Sequence, residues 1–238
     1  MAEERDPNLS KFLSLCGVSS RRGALELIRA GRVSVNDVIV TDPARRVAEG
    51  EVVALDGRKL SAPERFHYVM LNKPRGYVCS NADAHAEKLA VDLLRESCPG
   101  FLRSAGRLDK ESEGLIVFSD DGAYLERVAH PRYMVCKRYE VTVARELAAA
   151  DLKRMVEGIA DDGEVLKVIS VERLGGNCYM FKLNEGKKRE IRRLCRACGA
   201  PVLKLKRVAL GALELGGLKS GEHRELSPEE VEKSLLPG

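Results

Sequence analysis

The sequence predicts an α+β protein with a small N-terminal domain and a larger domain built on a mixed, mostly antiparallel sheet. Strand patterns over most of the chain are joined by turns and do not alternate regularly with helices, which argues against a βαβ fold. Two short helical patterns followed by hairpins stand apart at the N-terminus. A polar stretch with Pro63, which lacks a backbone donor, separates the two regions. We therefore divide the chain into a domain over 1–58, a linker over 59–66 and a domain over 67–238.

The N-terminal domain is predicted to contain two helices and two hairpins. Apolar residues recur at helical spacing over 9–16, and Ser19 or Ser20 can cap a second helix that ends at Gly31. The hairpin turns that follow are predicted at Asn36-Asp37 and Asp56-Gly57.

The larger domain combines several strands with a few helices. Strands are predicted over 67–71, 115–118, 137–143, 165–171, 178–183, 202–205 and 208–215. Helical segments are predicted at 91–94, from the Asp121 cap to Val128, over 147–155 and 188–198, and from Pro228 onward.

Basic residues are concentrated in one segment of the larger domain. The net charge of the whole chain is only +4, but residues 182–207 hold ten Lys or Arg and two acidic residues. A local excess of this kind suits a polyphosphate partner such as nucleic acid. A solvated helix face is the alternative, because most runs of charge are simply exposed to water.

The remaining composition narrows the class of protein. The first residues are acidic, so we expect no signal peptide, and no apolar run approaches the ~18 residues of a membrane span. Seven cysteines without disulfide-like spacing indicate reduced thiols and a cytoplasmic protein. Cys195 and Cys198 lack two further ligands at zinc-site spacing, so we expect no metal. In the absence of a coiled-coil pattern we expect a monomer.

The most informative stretch is a polar loop over 106–114, GRLDKESEG, which leads into an apolar strand pattern over 115–118. Gly106 and Gly114 permit tight turns at its two ends. A carboxylate such as Asp109 on this loop would be positioned by the core and still face solvent or a substrate, as many catalytic residues do. A charged surface turn is the alternative, and local composition alone favours that alternative.

This loop and the strand after it are similar to GRLDxxSxGLLxxTxDG, a signature of the pseudouridine synthases of the RsuA/RluB branch and their RluA relatives. Only Ile116 and Ser119 depart from the common form. Three further segments resemble family motifs in the same order: NKPRG at 72–76, KRYEV at 137–141, and EGKKREIRRL at 185–194, where Glu190 replaces a frequent Gln.

The N-terminal segment KFLSLCGVSSRRGALELIRAGRVSVN, residues 11–36, resembles the S4 RNA-binding module, with Asp37 where glycine is usual. A helical cap over a hairpin is the alternative, and the net charge of about +1 over residues 1–60 does not separate the two. The resemblance implies that the RNA-facing cations of this domain are Arg21, Arg22, Arg29 and Arg32.

The resemblance implies that the protein isomerises uridine to pseudouridine. This reaction breaks the C1′–N1 bond, rotates the uracil and joins C5 to C1′, so we expect no cofactor. By motif position, Asp109 would be the catalytic carboxylate, either as a nucleophile at C1′ or as the base that takes the C2′ proton. Arg192 would pair with Asp109 as a bidentate partner, and Tyr139 would stack on the flipped uracil. A phosphate-binding Arg192 and a purely packed Tyr139 are the alternatives.

Other residues receive supporting roles from the same resemblance. Ile191 would pack against the other face of the base, and Arg107 would hold the vacated stack or contact phosphates. Lys73 and Arg75 would contact the RNA backbone or support the Asp109 loop, and a simple turn role is the alternative. The further RNA-binding cations implied are Lys187, Lys188, Arg189 and Arg193.

We expect ribosomal RNA, free or in a precursor of a ribosomal subunit, to be the substrate. We favour large-subunit RNA because the run from residues 192–194 through 201–211 looks closer to RluB-type members, whereas residues 68–74 and 77–80 look as close to RsuA. Small-subunit RNA and transfer RNA stay open as targets. A non-catalytic S4-type assembly protein and a base-releasing glycosylase are the rival functions; the first should lack the motif residues, and the second should carry a water-activating second carboxylate.

Overall fold

The structure is a computed structural model that describes residues 6–80, 87–95 and 101–236. The acidic N-terminal residues 1–5 lie outside these ranges. Contacts divide the chain into two compact units, one ending at His67 and one beginning at Tyr68, with short segments near Leu102 and at Asp120–Gly122 grouped with the first.

The first unit contains two capped helices and a four-stranded sheet. Asn8 accepts from Lys11 N at 2.9 Å and Ser20 from Gly23 N at 3.1 Å, so both helix starts are capped, the second by one of the two serines predicted. The sheet order is β2-β1-β3-β4. The elements are α1 (Leu9–Leu15), α2 (Arg21–Arg29), β1 (Val33–Val35), β2 (Val38–Ile39), β3 (Val53–Leu55) and β4 (Arg58–Leu60).

Both predicted hairpin turns are present in this unit. Asn36 and Asp37 have φ of 51° and 64°, the pair of positive values that a type I′ turn requires. Asp37 therefore adopts the conformation for which glycine is usual. The predicted linker begins too early, because Leu60 still pairs with Val53 in the sheet and packs against the apolar core of the unit.

The second unit is built on a long mixed sheet. Within the described residues its order is β11-β12-β8-β13-β7-β5-β15, with β14 paired to β13 and β6 to β7. The strands are β5 (Tyr68–Lys73), β6 (Arg103–Ser104), β7 (Glu113–Ser119), β8 (Lys137–Val143), β9 (Ile159–Asp161), β10 (Glu164–Leu166), β11 (Ser170–Gly175), β12 (Cys178–Leu183), β13 (Val202–Leu210), β14 (Leu213–Glu214) and β15 (His223–Glu225).

Only one of the described strand pairs in this sheet is parallel, that between β7 and β13, so the predicted mostly antiparallel α+β class is confirmed. The helices of the unit are α3 (Gly122–Ala129), α4 (Ala149–Glu157), α5 (Glu190–Ala197) and α6 (Pro228–Lys233), with 3-10 turns at Ala90–Leu94 and Pro131–Tyr133. Two apolar clusters stabilise it. One joins β8, β12, α4 and α5, and the other joins β5, β7 and α3.

Several predicted elements differ from those observed. The strand predicted over 165–171 is two strands: β10 ends at Leu166 and pairs with β9 through the turn at Asp162 and Gly163, and β11 begins at Ser170 and pairs with β12 as predicted. The two strands predicted over 202–215 are largely one strand, β13, interrupted by register shifts opposite β8. The helix predicted from residue 188 begins at Glu190, since Arg189 has φ of 52°.

Among the described residues, no helix is both long enough and apolar enough to cross a membrane. In the same ranges, no three His, Cys, Asp or Glu side chains are grouped closely enough to hold a metal ion.

Candidate active site

A cleft of about 970 Å³ opens on the second unit, at the upper end of the volume range of ligand pockets. It is lined by the Asp109 loop, by strand β8 and by the segment that leads into α5. The predicted site residues that it brings together are Asp109, Tyr139, Arg192, Arg107, Ile191, Lys187, Lys188 and Arg189.

The Asp109 loop is fixed by backbone hydrogen bonds on both sides of the carboxylate. Ser112 N donates to Asp109 O at 2.9 Å, which closes the turn, and Gly76 N donates to Lys110 O at 2.7 Å. Leu108, next to Asp109, is buried, and its N–H donates to the buried Cys79 Sγ at 3.4 Å. Asp109 itself is exposed. The loop therefore holds its backbone against the core and presents the carboxylate to the cleft.

Gly114, where the loop enters β7, lies against the backbone of Arg207 on the parallel strand β13. A Cβ at this position would lie 2.2 Å from Arg207 O and 2.7 Å from Arg207 N. Gly114 also has φ of +107°, which L side chains rarely adopt. The glycine of the motif is thus required by close strand approach, a role beyond the turn that the sequence predicts.

Arg192 holds the same loop from the side of α5. Its Nη2 donates to Glu111 O at 2.9 Å and to Ser112 Oγ at 3.3 Å. Among the described residues no ion pair within 4.0 Å joins Arg192 to Asp109, so the predicted bidentate pair is wrong for this structure. The guanidinium instead donates to Glu111 and Ser112 of the same loop.

The electrostatic environment of Arg192 nevertheless includes Asp109. Burial, together with the positive charge of Arg189, lowers the pKa of Arg192, and the negative charge of Asp109 acts in the opposite direction. The two groups are therefore within electrostatic range of each other. Arg192 thus both supports the loop and compensates the carboxylate charge.

Tyr139 and Ile191 provide the apolar walls of the cleft. Tyr139 lies on β8 opposite Phe181 of β12 and Arg207 of β13, and it packs partly against the neighbouring apolar core. Ile191 is 5% exposed on α5 and belongs to the same core. Both side chains are therefore held by packing while they line the cleft.

Lys73 does not have the predicted RNA-contacting role. The side chain is fully buried, and its Nζ donates to Pro74 O at 2.9 Å and to Tyr77 O at 2.8 Å. Burial lowers the pKa of this ammonium, and the charges of Cys79 and Asp109 partly oppose that shift. Lys73 therefore stabilises the turn after β5, which is the simple turn role given as the alternative.

Arg75 is exposed and also supports the loop. Its Nε donates to Glu111 Oε2 at 2.9 Å, and this contact lowers the pKa of Glu111. Arg75 remains open to solvent and can exchange Glu111 for another anion.

The basic segment around α5 divides into two groups. Lys188 and Arg189 are exposed at the cleft, and Lys187 lines it while its Nζ donates to Val165 O at 2.6 Å. Arg193 is wrong as an RNA contact, because its side chain is only 14% exposed and faces Asp161 and Glu164 of the β9–β10 hairpin. The charge of Arg193 is thus compensated within the protein.

In the first unit, all four predicted RNA-facing cations are exposed, and one of them pairs with an acidic residue. Arg21, Arg22 and Arg29 of α2 are exposed. Arg32 is exposed too, but its Nε donates to Asp56 Oδ1 at 3.0 Å, a hydrogen bond that raises the pKa of Arg32. The helix α2 therefore carries the net positive face of this unit.

The sequence did not predict the environment of two cations of the second unit, the buried Arg207 and the half-buried Lys137. Arg207, counted in the sequence among cations suited to polyphosphate, is 3% exposed and donates from Nε to Leu115 O at 2.7 Å. Lys137 donates to Asn184 O at 3.1 Å, and burial, with the charge of Arg207, lowers its pKa to about 8. The alternation of Leu205, Arg207 and Ala209 along one strand is the signal that could have placed Arg207 on the buried face.

The fold and the cleft define a class of protein, an enzyme whose cationic cleft is lined by the Asp109 carboxylate and the Tyr139 ring. The comparisons identify its family. The family described as RNA pseudouridylate synthase matches residues 67–197, and the S4 domain matches residues 8–53. A crystal structure of a pseudouridylate synthase superposes with a TM-score of 0.70 and 30% identity, and covers 95% of this chain and 99% of that chain.

Relatives match over nearly their whole length. An uncharacterised RNA pseudouridine synthase of Aquifex aeolicus is 37% identical, with 94% of each chain covered. A ribosomal large subunit pseudouridine synthase B of Bacillus subtilis is 32% identical, again with 94% of each covered. A ribosomal small subunit pseudouridine synthase A of Vibrio vulnificus is 32% identical over 94% of this chain and 97% of its own. The chain belongs to the RNA pseudouridine synthase family, and it is an RNA-binding isomerase with an N-terminal S4 domain.

Proposed function

We propose that this pseudouridine synthase modifies a uridine of ribosomal RNA, with Asp109 as its catalytic carboxylate. The observation that carries the proposal is the exposed Asp109 on a loop whose neighbours on both sides are fixed, Leu108 by burial and Lys110 by the hydrogen bond from Gly76. A carboxylate on a preorganised loop loses little entropy when it meets the sugar of a bound nucleotide.

Asp109 would act at the sugar as the uracil leaves C1′. As a nucleophile it would form a bond to C1′ that the C5 atom of the rotated uracil later displaces. As a base it would take the C2′ proton and return it after the new bond forms. In both routes C5 loses its proton after the C5–C1′ bond has formed and N1 gains one, so the atoms balance without an added group, in keeping with the expectation of no cofactor.

Tyr139 and Ile191 would hold the base on its two faces while it rotates, since both line the cleft and both are held by core packing. Arg192 would hold the Asp109 loop in place through the Glu111 carbonyl, and its guanidinium would compensate the charge of the carboxylate. Arg107, Lys188 and Arg189 would bind the phosphates that flank the nucleotide in the cleft.

Ribosomal RNA is the proposed target because curated relatives of this chain carry the names of large-subunit and small-subunit enzymes. Both relatives are 32% identical, so identity does not distinguish the two subunits. We keep large-subunit RNA as the first target on the resemblance of the segment over 201–211. The protein is proposed to act in the cytoplasm as a monomer, on free RNA or on a ribosomal precursor.

The test is a transcriptome-wide carbodiimide map of pseudouridine in cells that lack the gene and are rescued by wild type or Asp109→Asn. A single ribosomal site should disappear in the deletion and return only with wild type. Asp162→Asn, the same change in the exposed turn between β9 and β10, is the matched control and should restore the site. Rescue by Asp109→Asn would contradict the role of Asp109 as the catalytic carboxylate. Free uracil in a reaction with purified protein would indicate a glycosylase.

A further inference from the structure

The segment between α3 and β8 exposes an aromatic cluster beside the cleft. Ala129 at the end of α3 and Tyr139 on β8 both line the cleft, so the two ends of this segment lie at the cleft. Between them Tyr133 is 41% exposed and Met134 is 57% exposed. Since four residues span at most about 14 Å, Tyr133 lies within reach of RNA bound in the cleft.

The ring of Tyr133 is held in place by its neighbours. The Arg132 guanidinium lies over the ring, with its Cζ 4.6 Å from the centroid. The His130 ring meets it edge-on with centroids 6.4 Å apart, and Arg132 Nη2 donates to Tyr133 Oη at 2.6 Å. Glu126 forms an ion pair with Arg132 and fixes the guanidinium in turn. The aromatic surface is thus ordered before any ligand arrives.

The backbone keeps this cluster turned outward. Met134 has φ of +52°, a left-handed conformation that costs a non-glycine residue of order 1 kcal/mol or more. Immediately afterwards Val135 and Cys136 are buried, and Cys136 O accepts from Gly211 N at 2.7 Å. The chain therefore returns to the core at once and leaves Tyr133 and Met134 exposed.

We propose that Tyr133, backed by Arg132, is a stacking platform for an unpaired base of the RNA substrate a few nucleotides from the target uridine. A span of about 14 Å corresponds to about four stacked nucleotides at 3.4 Å each. Aromatic rings and guanidinium planes bind the faces of unpaired bases irrespective of their sequence. The inference rests on the proposed function, because it takes the RNA in the cleft to be the substrate, and it adds that the target uridine lies in a loop or bulge.

An RNA base fits this surface better than a protein side chain does. The cluster is continuous with the cleft through Ala129, and the cleft carries the exposed cations Arg107, Lys188 and Arg189. RNA that follows those cations along its phosphates brings its bases past the exposed ring. Arg132 remains half-exposed beside that path despite its pair with Glu126.

The test uses the full-length protein and two fluorescein-labelled 12-nucleotide probes, oligouridylate and an abasic oligomer with the same phosphates. Tyr133→Ala should weaken oligouridylate binding by about 5- to 150-fold, the range expected for one stacked base. Binding of the abasic oligomer should be unchanged, and Tyr133→Phe should bind oligouridylate like wild type. Leu174→Ala, at an exposed apolar residue on the edge strand β11, is the matched control.

Equal weakening for both probes would overturn the platform, because it would mean phosphate binding or altered folding. No change for either probe would also overturn it and leave the cluster as a protein-binding surface. Pseudouridine formed by wild type on transcribed large-subunit and small-subunit RNA is measured in parallel. If wild type is inactive while Tyr133→Ala weakens the binding of oligouridylate alone, the proposed function fails and the platform stands.

Discussion

Gly114 lies where two neighbouring strands approach too closely for a side chain. Its motif position alone suggests only a turn, but the contact with the Arg207 backbone ties the Asp109 loop to the centre of the sheet. Residue-scale constraints of this kind explain why the loop is rigid although most of its side chains are charged and exposed.

Gly114→Ala should therefore destabilise the protein by at least about 2 kcal/mol, because the new methyl combines left-handed backbone strain with a clash against a strand. The change is measured by chemical unfolding of both proteins. Gly163→Ala is the control, since its φ is also positive at +76° but no atom lies within 4 Å of the added Cβ. That variant should be destabilised by about 1 to 2 kcal/mol from strain alone. Equal destabilisation of the two variants would contradict the role of close strand approach.

Lys137 predicts a dependence of stability on pH. The pKa is about 8 in the folded protein against 10.5 ordinarily, so the unfolded state binds more protons between these values. The free energy of unfolding should therefore rise with pH across this window. Relative to Lys137→Met, wild type should gain about 1 to 3 kcal/mol between pH 8 and 10.5. Parallel curves for the two proteins would mean that the ammonium is not destabilised by burial.

At the scale of elements, the Asp109 loop is held between the turn after β5 and helix α5. The turn contributes Gly76 N and the Arg75 guanidinium, and the helix contributes Arg192. The hydrogen bonds of Arg75 and Arg192 converge on Glu111, one through its carboxylate and one through its carbonyl. Glu111 is thus where these two supports of the loop meet.

Arg75→Glu and Glu111→Arg should each lower kcat by up to about tenfold, since small displacements of a reacting group cost less than the roughly hundredfold of a 1 Å shift. The reciprocal double substitution should recover most of the rate. Lys153→Glu, in an exposed pair with Glu157 on α4, should leave kcat unchanged. Single-turnover rates and RNA affinities measured together separate this role from phosphate binding, in which Arg75→Glu would weaken affinity and the double variant would not recover it.

At the scale of the molecule, what the sequence predicts well is local. The cap at Ser20 and the turn at Asn36-Asp37 depend on neighbouring residues, and local chemistry specifies them. The buried state of Lys73 and the acidic partners of Arg193 depend on residues from other elements, which composition cannot supply. Asp161, for instance, lies 32 residues before Arg193 in the chain. A run of basic residues therefore predicts that the cleft is positively charged, but it overestimates the number of cations that are available to bind RNA.

The S4 unit should contribute affinity through α2 with little effect on the chemical step. Replacing Arg21, Arg22 and Arg29 by Ala should weaken binding of transcribed large-subunit RNA. The slope of log K against log salt should become shallower by about 0.7 to 0.9 for each phosphate that the protein no longer neutralises. The rate at saturating RNA should stay near that of wild type, because the cleft is unchanged. Arg32→Ala is the control and should change the slope less, since Asp56 already compensates its charge. An unaltered salt slope in the triple variant would mean that α2 does not face the RNA, and the affinity would then have to come from the cations of the cleft alone.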